Sequence, residues 1–472
     1  MSIKRINRCE ETIMKRIFFY VLFFSCLSVP VSLLAFPSVF PHGTTIFKPD
    51  KTFSGYTILT TEGYQTILID MNGNVVHHWE NLCNNEHPAK LLPGGYAMGA
   101  TGKRGRIIGD KESNDLSIVD WDGNIVWTYK MAGVHHDFQR EGNPVGYYVP
   151  GMDSYVDKGR TLILSHLVVE NSRISDKKLY DDVIIEVDYS GKELFRWLAS
   201  DHIKEMGFDN MARIVMYRYP NYTMTRTPGV VGGDWIHVNS ASWLGPNKWY
   251  DQGDKRFNPD NIIYSGRQTN TFGIIDRKTG DIVWHMGPDY ESTKELRKIG
   301  QIIGQHHVHM IPRGLPGEGN ILIFDNGGYG GFGAPNPGAP TGVNNVKRDY
   351  SRVIEINPVT LKVEWEYDAN KAGSRDRVRF YSDYVSSAQR LPNGNTLIAE
   401  GAFGRIFEVT PDCRTVWEYI SPYYDKAENF NLVYRAYRVP YDYVPQLKNP
   451  KEKAVIPPDT STLRLKDLTK AE

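Results

Sequence analysis

The stretch Asp120-Trp-Asp-Gly-Asn-Ile-Val-Trp127 decides the fold, because five other stretches share its design. They are Asp70-Met-Asn-Gly-Asn-Val-Val-His-His-Trp79, Asp188-Tyr-Ser-Gly-Lys-Glu-Leu-Phe-Arg-Trp197, Asp276-Arg-Lys-Thr-Gly-Asp-Ile-Val-Trp284, Asn357-Pro-Val-Thr-Leu-Lys-Val-Glu-Trp365 and Thr410-Pro-Asp-Cys-Arg-Thr-Val-Trp417. In each, a polar residue opens a turn suited to left-handed or type I backbone, an alternating strand follows, and a tryptophan ends it. A sheet built from such a hairpin cannot bury both faces alone; setting copies radially around an axis solves this. Six copies predict an all-β, six-bladed β-propeller.

A second phrase precedes most of these hairpins: Ala89-Lys-Leu-Leu-Pro-Gly-Gly, Phe138-Gln-Arg-Glu-Gly-Asn, Ala241-Ser-Trp-Leu-Gly-Pro, Val308-His-Met-Ile-Pro-Arg-Gly and Ala388-Gln-Arg-Leu-Pro-Asn-Gly-Asn. It marks the start of each blade, on the strand nearest the axis. Apolar runs such as Asn320-Ile-Leu-Ile-Phe-Asp and Asn395-Thr-Leu-Ile-Ala-Glu follow, as expected of strands buried on both faces. The rhythm breaks at 201–229, 247–260, 291–304 and the glycine-rich 327–342, which read as rim insertions forming a lid or wall over the channel mouth, with loose surface loop as the competing reading for the last.

The blade starts also align histidines. His87, His136, Asn239, His306 and Ser386 share one column; Asp137, Ser240, His307 and Ser387 share the next; His237 and His309 lie close to the same level. Equivalent positions on inner strands meet at one height around the axis, so residues far apart in sequence converge on one channel mouth. Three readings compete there. Imidazoles suit acid, base and nucleophile chemistry. Several facing one axis also suit copper, zinc or iron, with His87, His136, His306 and His309 as the ligand set. They could equally bond strand ends and loops.

Composition narrows the partners. Lysine plus arginine and aspartate plus glutamate both total 55, so no net field draws the protein to nucleic acid or an anionic membrane, and a small aromatic or anionic substrate is the expected partner. Oligomeric state is not readable. Length would allow two or three domains, but the repeat predicts one propeller over 36–447, with a loose tail over 448–472. The aromatic run Tyr434-Arg-Ala-Tyr-Arg-Val-Pro-Tyr-Asp-Tyr443 is expected to pack on the propeller. Lys4, Arg5, Arg8, Lys15 and Arg16 precede an apolar run from Ile17 to Leu34, so residues 1–35 read as an export signal or, uncleaved, an anchor. The protein is then periplasmic or otherwise exported. Cys83 and Cys413 fall in the first and last blades, neighbours in a closed ring, where an oxidising compartment would allow a ring-closing disulfide.

Gly233-Asp-Trp-Ile-His-Val-Asn-Ser240, Ile262-Ile-Tyr-Ser-Gly-Arg267, Gly304-Gln-His-His307, Ile321-Leu-Ile-Phe-Asp-Asn-Gly327, Ser351-Arg-Val-Ile-Glu355 and Gln389-Arg-Leu-Pro-Asn-Gly-Asn-Thr-Leu-Ile398 together resemble the bacterial aryl-sulfate sulfotransferase family, over roughly 44–420. The resemblance implies a six-bladed periplasmic propeller that moves a sulfuryl group between phenols through a sulfated histidine, with no nucleotide sulfate donor and no cofactor. Carried onto this chain, it implies His306 or His307 as nucleophile or acid/base, with His237 catalytic beside them. His136, Asn239 and His309 would contact substrate, and Arg267 and Asn326 would orient it. The chain departs from the family in two places. No histidine follows His309, so Ser386 and Ser387 stand where the late nucleophilic histidine is expected, and no arginine follows Phe324-Asp-Asn-Gly327 closely. A metal-dependent propeller enzyme and a non-catalytic ligand-binding propeller remain the alternatives.

Overall fold

The computed structural model describes residues 42–61, 65–80, 82–83, 87–102, 114–130, 132–221, 232–424 and 430–457. Residues 1–35, which read as an export signal or anchor, lie outside them. Six antiparallel sheets are the blades. Blade 2 (Lys90–Leu92, Tyr96–Thr101, Asp115–Val119, Ile125–Tyr129), blade 3 (Phe138–Arg140, Thr161–Val169, Leu179–Val187, Glu193–Leu198) and blade 4 (Val238–Trp243, Ile262–Gly266, Thr271–Ile275, Ile282–Met286) each run outward in chain order. Blade 5 does so with His306–Met310, Ile321–Asp325, Arg352–Ile356 and Val363–Tyr367.

The remaining two blades close the ring with both ends of the chain. Blade 1 (Tyr56–Thr61, Gln65–Ile69, Val75–Glu80) takes its innermost strand, Ala436–Val439, from the C-terminal run. Blade 6 (Ser387–Arg390, Thr396–Glu400, Arg405–Val409, Thr415–Ile420) gains Gly43–Phe47 as a fifth, outermost strand. The aromatic tail segment is thus a core strand, with Tyr434 and Tyr437 buried.

The repeated tryptophans explain the closure. Each sits on the outermost of its blade's own four strands and donates its indole N–H to a turn carbonyl of the next blade: Trp79 to Asp120 (3.0 Å), Trp127 to Tyr189 (2.9 Å), Trp197 to Gly280 (3.0 Å), Trp284 to Pro358 (3.0 Å), Trp365 to Pro411 (2.9 Å) and Trp417 back to Met71 (2.8 Å). A large apolar side chain with one donor can seal a blade interface and still satisfy its N–H there. The accepting turns are held open for it. The Asp70, Asp120, Asp188, Asp276 and Asn357 side chains each accept backbone N–H groups two or more residues on.

That turn chemistry also settles the cysteines. Cys413 occupies the left-handed turn position (φ 65°) that glycine fills in blades 1 to 4, and its thiol contacts the Glu366 carbonyl of blade 5. Cys83, with its thiol on the Pro88 carbonyl, faces blade 2 instead. Both are buried free thiols, so the ring-closing disulfide that their blades would allow is not formed: the ring makes the two blades neighbours, but each cysteine faces away from the shared interface.

The tail expected to be loose from Lys448 is bonded through its described part. Val455 pairs with Phe47, and Lys453 exchanges hydrogen bonds with Asn72 (2.6 and 2.9 Å). The glycine-rich insertion is an antiparallel hairpin, Tyr329–Phe332 with Val343–Lys347. Its Phe332 and Val343 share a core cluster with Val215 of a second insertion, the helix Asn210–Arg218 capped by Asp209. It stands as a wall beside blade 4. Gly330 is required there, because a Cβ would lie 2.4 Å from the Asn270 side-chain oxygen.

Candidate functional site at the channel mouth

The inner strands begin irregularly. The ladder register shifts between Val238 and Ser240 and again between His306 and His309. His136, His237, His307 and Ser386 all hold positive φ (57°, 53°, 52° and 91°), a region costing non-glycine residues about 1–3 kcal/mol and found where a site over-determines the backbone. The result is two layers of polar side chains, one below the mouth and one at it.

The lower layer is extensively paired, with Arg435 Nε and Asn239 Oδ1 the atoms left over among its described residues. The Asp137 carboxylate receives Lys90 at 2.8 Å and Arg435 at 3.1 Å, and Arg435 also donates to the Asn239 carbonyl (2.6 Å). Burial alone would raise Asp137, but the charges of Arg435 and Lys90 hold its carboxyl below the usual range. Burial in turn pushes the Lys90 ammonium down to about 8, against the pull of Asp137. His307 donates from Nδ1 to the Ala388 carbonyl (3.0 Å), so its Nε2 accepts from Tyr437 (3.2 Å). His309 repeats the pattern, with Nδ1 on the His307 carbonyl (2.9 Å) and Nε2 facing Tyr147 (3.1 Å). Both imidazoles have spent both nitrogens. Asn239 bridges blades by donating to the Gln305 carbonyl (2.7 Å).

The upper layer is not saturated. His306 Nδ1 lies 2.8 Å from the Asn326 side-chain oxygen and 3.0 Å from the Gly304 carbonyl. Asn326 is oriented unambiguously, since its amide nitrogen faces the Ser382 and Val385 carbonyls (2.7 and 3.0 Å). Two acceptors therefore face Nδ1, which must carry the proton, and the Nε2 lone pair is left without a hydrogen-bond partner among the described residues. Burial, reinforced by the Arg267 charge, pushes His306 well below the usual imidazole range, so it is neutral near pH 7.

Arg267 is 5% exposed, yet its guanidinium pairs with no carboxylate among the described residues; it stacks on Tyr329 of the hairpin wall, 4.7 Å from the ring centre. The buried Arg435, Arg438 and Arg390 each meet a carboxylate, whereas Arg140, between blades 2 and 3, stacks on Trp127 and donates to the Gly159 carbonyl. His237 donates to Asp234 (2.5 Å) and packs edge-on against His136, with ring centres 4.8 Å apart. His136 lies 2.8 Å from His135, nitrogen to nitrogen, and beside Tyr434. Burial, then the neighbouring His237, drives His136 well below its ordinary value.

The column therefore gathers His136, His237, His306 and Arg267 at the mouth and consigns His307, His309 and Asn239 to the layer beneath. Asn326 holds His306 by its Nδ1. The metal quartet is not assembled: His87 is turned to the Val134 carbonyl (2.8 Å) and His309 to Tyr147, so neither joins His136 and His306. Among the described residues the one group with metal-compatible spacing is His135, His166 and Asp182. Arg435 and Tyr434, which extend the two columns from the C-terminal strand, were missed because no blade-start phrase precedes them. Their signal was Ala436-Tyr-Arg-Val-Pro440, which parallels Ala388-Gln-Arg-Leu-Pro392.

The family model for arylsulfotransferase (ASST) matches residues 47–428. The chain belongs to the arylsulfotransferase family. Its match takes in all six tryptophan hairpins and every mouth residue except Tyr434. No curated protein matches the chain. Among solved structures, a protein of unknown function from Bacteroides caccae aligns at 10% identity and a TM-score of 0.43, covering 82% of this chain and 99% of that one. Hydrazine synthase of Kuenenia stuttgartiensis aligns at 12% and 0.37, covering 79% and 80%. The Cps50 (Swd1) β-propeller domain of Myceliophteria thermophila aligns at 8% and 0.33, covering 82% and 88%. None of these bears on the chemistry of an arylsulfotransferase site.

Proposed function

We propose that this arylsulfotransferase-family protein is an exported enzyme that moves the sulfuryl group of a phenolic sulfate to an acceptor phenol or water at the channel mouth, with His306 as nucleophile. The reading is carried by one juxtaposition: an imidazole whose Nε2 lone pair is open, beside a buried guanidinium with no carboxylate of its own. A buried cation without a counter-ion favours an anionic ligand, and guanidinium geometry suits sulfuryl oxygens.

In the first half-reaction His306 Nε2 attacks sulfur, an N–S bond forms, and the S–O bond to the aryl group breaks. Arg267 and the N–H of His136 offset charge on the sulfuryl oxygens, and His237, oriented by Asp234, gives the departing phenolate its proton. In the second, the acceptor hydroxyl loses its proton to His237 as its oxygen takes the sulfuryl group, restoring His306. His306 takes the part that the family's late histidine would play.

The test is phenolate release from a chromogenic aryl sulfate with and without a phenol acceptor, combined with peptide mass mapping under alkaline quench. Expected are acceptor-stimulated release and a sulfuryl adduct on the peptide bearing His306. No release across a panel of aryl sulfates, or full release by His306→Ala, would sink the reading.

A further inference from the structure

Behind the mouth, on the side of blade 3, three ligand-type side chains converge. His135 and His166 stack face to face, ring centres 3.5 Å apart and 7° from parallel. Their Nε2 atoms lie 3.4 and 3.2 Å from one oxygen, Oδ1 of Asp182. All three residues are buried, at 3%, 3% and 0% exposure. Among the described residues neither His135 Nε2 nor Asp182 Oδ1 has a hydrogen-bond partner, although they face each other. The other carboxylate oxygen is fixed by the Val238 N–H at 2.9 Å.

Two physical facts make this more than a packing accident. Tetrahedral ligands about 2.0–2.1 Å from a metal ion are separated by about 3.3 Å, and the two separations on Asp182 bracket that value. Burial also leaves a charge deficit. Asp182 is sealed in and ion-pairs with no lysine or arginine among the described residues, facing only the two imidazoles. A buried carboxylate without a cation is costly, and a divalent ion supplies the missing charge.

We infer that His135, His166 and Asp182 bind one divalent transition-metal ion beside the channel mouth. The two-imidazole, one-carboxylate set with no thiolate suits zinc, iron, nickel or manganese and leaves at least one position open for water. Binding tilts the two stacked rings apart so that each Nε2 lone pair faces the ion. It also fixes a tautomer chain. With His135 Nε2 on the metal, its Nδ1 must carry the proton and donate to His136 Nδ1 at 2.8 Å, so His136 Nε2 becomes an N–H donor. That last link rests on the sulfuryl-transfer reading; the metal site does not.

The test is metal content of the tagless exported protein after chelation, equilibration with Zn2+ or Co2+ and gel filtration. The expected result is about one equivalent retained per chain, a visible cobalt ligand-field band, and a thermal midpoint lowered by chelation and restored by zinc. Asp182→Asn and His166→Gln should each lose the retained ion and the band, while His87→Gln keeps both. If one of the first two fails to fold by circular dichroism, the other, or His135→Gln, carries the test. Retention below about a tenth of an equivalent with zinc, cobalt, iron, nickel and manganese alike, or parental retention by a folded Asp182→Asn, overturns the inference. Sulfuryl-transfer activity is assayed separately, so loss of that reading would leave metal binding intact, and the reverse.

Discussion

The two layers of the channel are built from adjacent residues on the same strands and behave oppositely. His307 lies one position from His306, Asp137 one from His136 and Arg435 one from Tyr434. In the lower layer Arg435, Asp137, Lys90, His307 and His309 complete one another, and the network ties blades 1, 2, 3 and 5 together across the axis. At the mouth, among the described residues, His306 keeps one nitrogen open and Arg267 meets an aromatic face but no carboxylate. Saturated polar groups rigidify a core, whereas unsaturated ones are a standing cost unless a ligand meets them. The comparison teaches that register alone does not make a histidine functional; its partners decide.

The comparison breaks most sharply if neighbouring histidines are swapped out. His306→Ala is expected to lower phenolate release by at least about 10⁴-fold with a folded spectrum, whereas His307→Gln keeps measurable turnover and loses stability. Equal activity loss in both would erase the distinction between the layers. Next, Arg435→Met should cost about 3–5 kcal/mol in denaturant unfolding, because it leaves part of the Asp137 charge buried and uncompensated. A change under about 1 kcal/mol would mean that the triad contributes little beyond packing.

Arg267→Met should reduce kcat/KM about 10²–10³-fold without comparable destabilisation, and Arg267→Lys should recover part of the loss. A stability loss matching that of Arg435→Met would place Arg267 with the structural arginines instead. The smallest effect concerns pH. Burial pushes His309 down to about 4, and an unfolded histidine titrates near 6.5, so below pH 6.5 the unfolded chain binds a proton that the folded chain refuses. Stability from this group is present above about pH 6.5 and is lost as pH falls toward 4, by about 3.4 kcal/mol in all. His309→Gln should flatten the fall in thermal midpoint between pH 7 and 5; an unchanged slope would assign the acid sensitivity elsewhere.

Much of this was legible in one dimension. The turn residues and tryptophans carry local geometry, and their count gave the blades, because an Asx or glycine turn followed by an alternating strand needs no distant partner to be recognised. The blade-start phrases set the histidines at one height for the same reason. The open nitrogen of His306 was not legible. Two adjacent histidines read alike until the bulge between His306 and His309 turns one to Asn326 and the other to Tyr437. Nor were His166 and Asp182, which sit on outer strands of blade 3 outside any aligned column. The cysteines mislead for a related reason: blade adjacency follows from sequence, but the direction of a thiol does not.

By itself, then, the sequence determined the number of blades, the tryptophan that seals each one and the level at which the mouth lies, since these rest on periodic turn and strand chemistry repeated along the chain. Only the tertiary structure decided which polar atoms are left open there. That depends on ring closure, which brings the C-terminal Arg435 and Tyr437 onto His307 and Asp137 and leaves His306 and Arg267 without the partners that would silence them.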